Sequence, residues 1–171
     1  MGEDMRFSVG QLDHAIQDFD RAIRLNPNLA IAFNNRGSAY DGKAQYDRAI
    51  QDLDQAIRLN PNLAQAFYNR GHAYAGKGQH DRAIQDFDQA IRLNPNLAEA
   101  FNNRGRAYAA DKGQYERAIQ DFDQAIRLNP NLAEAFYSRG FVLRRLGQQA
   151  RAAADFAKAG QLNPNLRPPK E

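Results

Sequence analysis

Apolar residues recur along the chain three and four apart, in short runs broken by turn signals. Near the middle, Phe67, Gly71 and Tyr74 mark one face of a helix, and Ala83, Phe87, Ala90 and Ile91 mark one face of a second. The turn between them contains Gly76 and Gly78. Ahead of the first helix stands Asn60-Pro61-Asn62. Pro61 disfavours helix at Asn60 and closes the preceding segment, which leaves Asn62 placed as an N-cap. Glu99 and Glu134 stand three residues after Asn96 and Asn131, the spacing of a capping box. Gly71, Ala83 and Ala90 are small enough to let two helix backbones approach closely.

This pattern repeats. The string Asn-Pro-Asn-Leu begins at Asn26, Asn60, Asn94, Asn129 and Asn163, at intervals of 34, 34, 35 and 34. Four full two-helix units are predicted over 26–59, 60–93, 94–128 and 129–162, with a half unit, a second helix alone, over 10–25. The segment 1–9 does not match a first helix, although its Phe7 can add cover. The Pro-rich tail 163–171, with Pro168 and Pro169, cannot extend the last helix far. One extra residue near Asp111 lengthens one turn. A single hairpin cannot bury its apolar face alone, so the units must stack. The expectation is an all-α solenoid of helix-turn-helix repeats with nine main helices.

The residues that carry the repeat also carry a resemblance. The tetratricopeptide repeat (TPR) pattern asks for an aromatic, Gly, Tyr, Ala, Phe, Ala and Pro at fixed offsets. The first unit supplies Phe33, Gly37, Tyr40, Ala49, Leu53, Ala56 and Pro61, and the second Phe67, Gly71, Tyr74, Ala83, Phe87, Ala90 and Pro95. The third supplies Phe101, Gly105, Tyr108, Ala118, Phe122, Ala125 and Pro130, and the fourth Phe136, Gly140, Leu143, Ala152, Phe156, Ala159 and Pro164. The chain resembles that family over residues 10–166, with Phe where the family often has Trp. The resemblance implies a right-handed superhelix that binds proteins.

At one position the chain departs from the family. The residue before the first-helix Gly, usually Leu, is Arg36, Arg70, Arg104 and Arg139. A guanidinium on the packed side needs a carboxylate, or its burial costs several kcal/mol. Asp18, Asp52, Asp86, Asp121 and Asp155 recur at one offset. A second set, Asp20, Asp54, Asp88 and Asp123, gives way to Ala157 in the last unit. The first set is the favoured partner because it is never dropped. Pairing within a unit or between neighbours is left open, and a structural ion-pair ladder is preferred to a ligand-binding arginine row.

The resemblance implies that first helices line a concave groove that takes an extended peptide. By position that groove presents Asn34, Asn35 and Ser38, then Tyr68, Asn69 and His72, then Asn102, Asn103 and Arg106, then Tyr137, Ser138 and Phe141, with Arg144 beyond. The amides can grip a peptide backbone in either sense, the aromatics add contact area, and Arg106 and Arg144 can take a carboxylate. The family version that clamps a free C-terminal carboxylate uses Lys followed by Asn. Here the matching pairs are Asn34–Asn35, Tyr68–Asn69, Asn102–Asn103 and Tyr137–Ser138, so that clamp is not expected.

Composition narrows the rest. No apolar run approaches a membrane span, and the start lacks a signal-peptide pattern. With no cysteine and no signal pattern, a cytoplasmic home is expected. His14 and His80 replace Arg and Tyr of other units, and His72 has no acidic neighbour that repeats. No nucleophile elbow, phosphate loop or zinc-ligand spacing is present, so no enzyme, metal or cofactor is expected. The net charge of +3 is too mild to argue for nucleic acid, although it runs from −2 over 1–59 to +4 over 129–171. The expected partner is a protein or peptide. The alternative is self-association through the end helices, by Ile16, Phe19 and Ile23 at one end and Ala150 and Ala154 at the other. RNA binding by the basic last unit is the weakest reading.

Overall fold

The computed structural model describes residues 9–110 and 113–166. Within them lie nine α-helices and no strand: α1 Val9–Leu25, α2 Ala30–Gly42, α3 Tyr46–Leu59, α4 Ala64–Gly76, α5 His80–Leu93, α6 Ala98–Ala110, α7 Tyr115–Leu128, α8 Ala133–Arg145 and α9 Gln149–Leu162. The cover expected from Phe7, the inserted residue near Asp111 and the tail prolines Pro168 and Pro169 lie outside the described residues. No helix among those described is long and apolar enough to cross a membrane. The chain forms two compact units, residues 1–86 and 87–171, with the border inside α5.

In the first unit α2 packs on α1, α3 and α4, and α3 packs on α4. Its core is built from Ala49, Leu53 and Ala56 of α3 with Ala66 and Ala73 of α4, covered by Phe33, Tyr40 and Tyr46. In the second unit α6 packs on α7 and α8, α7 on α8, and α8 on α9. Phe122 and Ala118 of α7 meet Val142 of α8, and Phe156 of α9 meets Leu143. Small residues set the helix separation. A Cβ added at Gly105 would stand 2.8 Å from Phe122 Cε1 and 3.1 Å from the Ala118 carbonyl oxygen. Ile16, expected on an exposed end face, is buried at 9% exposure, while Phe19 and Ile23 are half-buried. The apolar stripe of α1 turns inward, so Ile16 is not available for self-association. Ala150 and Ala154 of α9 are exposed.

The Asn-Pro-Asn-Leu joint works differently from the N-cap expected at Asn62. The backbone N–H of the second Asn donates to the side chain of the first: Asn28 to Asn26 at 3.1 Å, Asn62 to Asn60 at 3.1 Å, Asn96 to Asn94 at 3.2 Å and Asn131 to Asn129 at 3.0 Å. The first Asn also donates its own N–H to the last turn of the preceding helix, as Asn60 does to Ala56 at 2.9 Å. The helix then begins two residues later. Its N-cap is Leu29, Leu63 or Leu132, with no side-chain cap bond, and α6 likewise starts at Ala98. The capping boxes of Glu99 and Glu134 are therefore not formed. The side chain of the first Asn closes a local turn on the second, and the helix starts too late for the second Asn to cap it.

Between the two helices of a unit, one residue must take a left-handed backbone. It is Gly78 (φ 73°), Gly113 (φ 64°) and Gly147 (φ 75°) in three units, and Ala44 (φ 55°) in the first. Left-handed backbone costs an alanine about 1 kcal/mol relative to glycine. A Cβ at Gly78 would meet nothing within 4 Å, so the backbone cost stands alone there. Ala44→Gly should therefore stabilise the protein by about 1 kcal/mol, and Gly78→Ala should destabilise it by about as much. Urea midpoints at constant slope check both. A loss of stability in Ala44→Gly would contradict the backbone argument.

Candidate peptide-binding surface and the arginine ladder beneath it

Each first helix carries its arginine into a fork of two carboxylates. Arg104 Nε and Nη2 donate to Asp121 Oδ2 and Oδ1 at 2.8 and 2.6 Å, and Nη1 donates to Asp88 Oδ1 at 2.6 Å. Arg36 does the same with Asp52 (2.7 and 2.6 Å) and Asp20 (2.6 Å). Arg70 takes Asp86 (2.8 and 2.7 Å) and Asp54 (2.6 Å), and Arg139 takes Asp155 (2.8 and 2.7 Å) and Asp123 (2.5 Å). The bidentate partner comes from the second helix of the same repeat, and the third bond goes to the second helix of the repeat before. Both sets of aspartates therefore serve, where the first set alone was favoured by sequence. Asp18 belongs to that first set but is exposed, and no arginine reaches it among the described residues. Each guanidinium also lies over an aromatic one turn earlier on its own helix: Phe33, Phe67, Phe101 and Phe136, at 5.4–5.7 Å from the centroid.

These groups are taken substantially out of water. Asp52, Asp86, Asp121 and Asp155 are buried. Hydrogen bonds donated to Asp52, Asp86 and Asp155 lift Arg36, Arg70 and Arg139 above the usual arginine range, against burial. For Arg104 burial is the largest influence and opposes the shift, but Asp121 and Asp88 together outweigh it. Burial pushes the Asp86 and Asp121 carboxyls up, against the pull of Arg70 and Arg104. Two bonds of 2.8 Å or less tie Arg70 to Asp86 and Arg104 to Asp121. The described residues hold a second ladder that sequence reasoning passed over: Lys43 pairs with Asp13 and Lys77 with Asp47. Both pairs are 30 residues apart, a recurrence that could have exposed them.

The amides lie nearer the surface. In the first unit they form a relay. Gln65 Nε2 donates to Asn69 Oδ1, Asn69 Nδ2 to Asn34 Oδ1 and Asn34 Nδ2 to Asn35 Oδ1, at 3.0, 3.0 and 2.9 Å. Asn34 is buried at 3% exposure, so it belongs to the helix contact and not to the open face; the same holds for Asn102 at 5%. Asn35 and Ser38 are exposed, Tyr68 and Asn69 half-buried, and His72 exposed. His72 Nδ1 lies 2.7 Å from Asp41 Oδ2, an acidic neighbour on the preceding first helix. It does not recur along the chain, so periodicity gave no sign of it. In the second unit Arg106 and Phe141 are exposed and Asn103, Tyr137, Ser138 and Arg144 half-buried. The Tyr137 ring packs edge-on against Phe156 at 5.6 Å.

The relay is broken in the second unit. Asn102 Nδ2 donates to Asn103 Oδ1 at 3.3 Å, but Asn102 Oδ1 is buried with no hydrogen-bond partner among the described residues. The position equivalent to Asn69 holds Ser138, whose side chain is too short to supply that donor.

Family and structural comparisons agree with this architecture. A TPR repeat model matches residues 4–42, 43–78 and 110–147. Further tetratricopeptide repeat models match 64–97, 87–120 and 133–166. No curated protein matches the chain by sequence. Among solved structures, MamA (41-end) from Desulfovibrio magneticus RS-1 is 25% identical, with a TM-score of 0.78 over 91% of this chain and 88% of that one. YrrB, a TPR protein with an unusual peptide-binding site, is 26% identical, with a TM-score of 0.70 over 92% of this chain and 80% of that one. The first TPR of Spaghetti (RPAP3), bound to an HSP90 peptide, is 26% identical, with a TM-score of 0.66 over 69% of this chain and 93% of that one.

Two outcomes are expected in urea unfolding. Asp121→Ala removes the bidentate partner and should cost about 3 kcal/mol, whereas Asp88→Ala removes a half-exposed partner and should cost less than about 1 kcal/mol. Equal costs would mean that the bidentate bond is not the dominant one. Ser138→Asn should restore the missing donor to Asn102 and raise stability by about 1 kcal/mol. An unchanged midpoint would show that Asn102 Oδ1 needs no partner.

Proposed function

Because the chain belongs to the tetratricopeptide repeat family, we propose that it is a protein-interaction scaffold that holds an extended peptide or a partner helix on the exposed face of its first helices. The observation that carries this reading is the separation of roles on those helices. The arginines, glycines and buried amides are consumed by packing. The adjacent positions, Ser38 and His72 in one unit and Arg106 and Phe141 in the other, stay exposed and vary from repeat to repeat. A surface that keeps a fixed frame and changes only its outward residues suits recognition. The RPAP3 relative bound to a peptide, and YrrB with its peptide-binding site, support the same use of the fold. The described residues contain no group of three or more metal-ligating side chains.

Asn69 is a poor probe of binding, because its amide is held between Gln65 and Asn34. Ser38 is exposed and serves better. In a screen of extended peptides read by calorimetry, Ser38→Trp should weaken the selected binders at least about ten-fold without lowering the melting temperature. Gln51→Trp, at an exposed position of a second helix, should leave them unchanged. Loss of binding in the Gln51 variant alone would move the interaction surface to the second helices.

A further inference from the structure

We infer that the α6–α8 face of the second unit takes an acidic peptide segment that carries an apolar or aromatic side chain beside its carboxylates. This rests on the peptide-binding reading above and narrows its ligand. The face departs from the first unit at its exposed positions. Where α2 and α4 carry Ser38 and His72, α6 and α8 carry Arg106 and Phe141. Where α2 carries Asp41, α8 carries Arg144, followed by Arg145. Neither Arg106 nor Arg145 belongs to the carboxylate forks that hold the repeats together.

Arg106 and Arg145 are exposed, and neither makes an ion pair with a described residue. Phe141 is 38% exposed, and the guanidinium carbons of Arg144 and Arg145 lie 5.6 and 5.5 Å from its ring centroid. An anion brought to the Phe141 ring meets the exposed Arg145 guanidinium that lies against it. A guanidinium held against an aromatic loses less freedom when it then grips a carboxylate in two-bond fashion. The open part of the Phe141 ring offers an apolar neighbour to the same ligand. The described carboxylates of α6 and α8, Glu99 and Glu134, stand in the first turns, at the opposite end of α8 from Arg144 and Arg145. A nucleic acid suits the face less well. Single strands are held by successive stacking rings, and Phe141 is the one aromatic among the large hydrophobics exposed in the described residues.

The test uses the full chain and three labelled nonapeptides, each with a central phenylalanine and an amidated C-terminus. One is otherwise Asp and Glu, one Lys, one Ser and Asn; an oligouridine RNA is the fourth probe. Anisotropy should show the acidic peptide bound at least about ten-fold more tightly than the neutral one, with the advantage shrinking in high salt. Arg106→Glu should abolish that advantage. Phe141→Ala should weaken both the acidic and the neutral peptide. If Arg106→Glu melts early, Arg106→Gln gives the same readout without charge reversal. Equal binding of acidic and neutral peptides, still blocked by Ser38→Trp, would overturn this inference and leave the scaffold reading standing. RNA bound through Arg106 while the acidic peptide is ignored would overturn it in favour of nucleic acid. If no peptide of any composition binds, in this set or in the screen, both readings fall.

Discussion

A guanidinium placed on the packed side of a helix must be met by carboxylates, and the architecture of this chain follows from how that demand is satisfied. Each arginine reaches one aspartate with two bonds and a second with one. Those aspartates lie on two different second helices, so a single side chain fixes three helices at once. Burial makes the arrangement exacting. With the bidentate carboxylates nearly out of water, a misplaced helix would strand a charge rather than merely loosen a contact. Leucine at this position would pack in many similar ways, while the fork accepts one geometry.

Close packing makes the fork reachable. The glycine that follows each arginine lets the second helix approach until Leu53 or Phe122 fills the space where a Cβ would stand. Most of the buried apolar residues among those described are alanines, which support short interhelix distances with little apolar bulk. The joints are held locally by Asn side chains and by one left-handed residue per turn. The array thus draws its order from many short polar bonds set around small residues, more than from a deep apolar centre.

Much of this could be read in the chain. The recurrence of Asn-Pro-Asn-Leu and of spaced Ala, Gly and Phe locates the helices because one physical solution is written several times. What escaped has identifiable causes. The joint holds two asparagines, either of which can accept from a nearby backbone N–H; it is the first, Asn60, that does so, closing a turn on Asn62, and the helix starts only at Ala64. Ala157 rightly favours the first set of aspartates, which holds each arginine by two bonds, but it hides the part played by the second. Arg139 takes its second carboxylate from Asp123, in the repeat before, so residue 157 has no bearing on it. Asn34 and Asn35 are neighbours in sequence, and a rotation of about 100° on the helix puts one inside and the other out. The His72–Asp41 contact and the ring shared by Arg144 and Arg145 do not repeat, and periodicity carries no information about singular features.

The fork has a further consequence for ancestry. Arg70 and Arg104 each find a carboxylate 16 residues earlier and another 16 or 17 residues later, whichever repeat they belong to. If the 34 residues from Asn60 to Leu93 were lost in one step, Asp54 would arrive at the offset from Arg104 that Asp88 now holds, and Asp121 would keep its place. Duplication of the same stretch would be equally well tolerated. Gene lineages of this kind can gain or shed whole segments by unequal crossing-over without passing through an intermediate that carries an orphaned ion, whereas a break at any other period would create one.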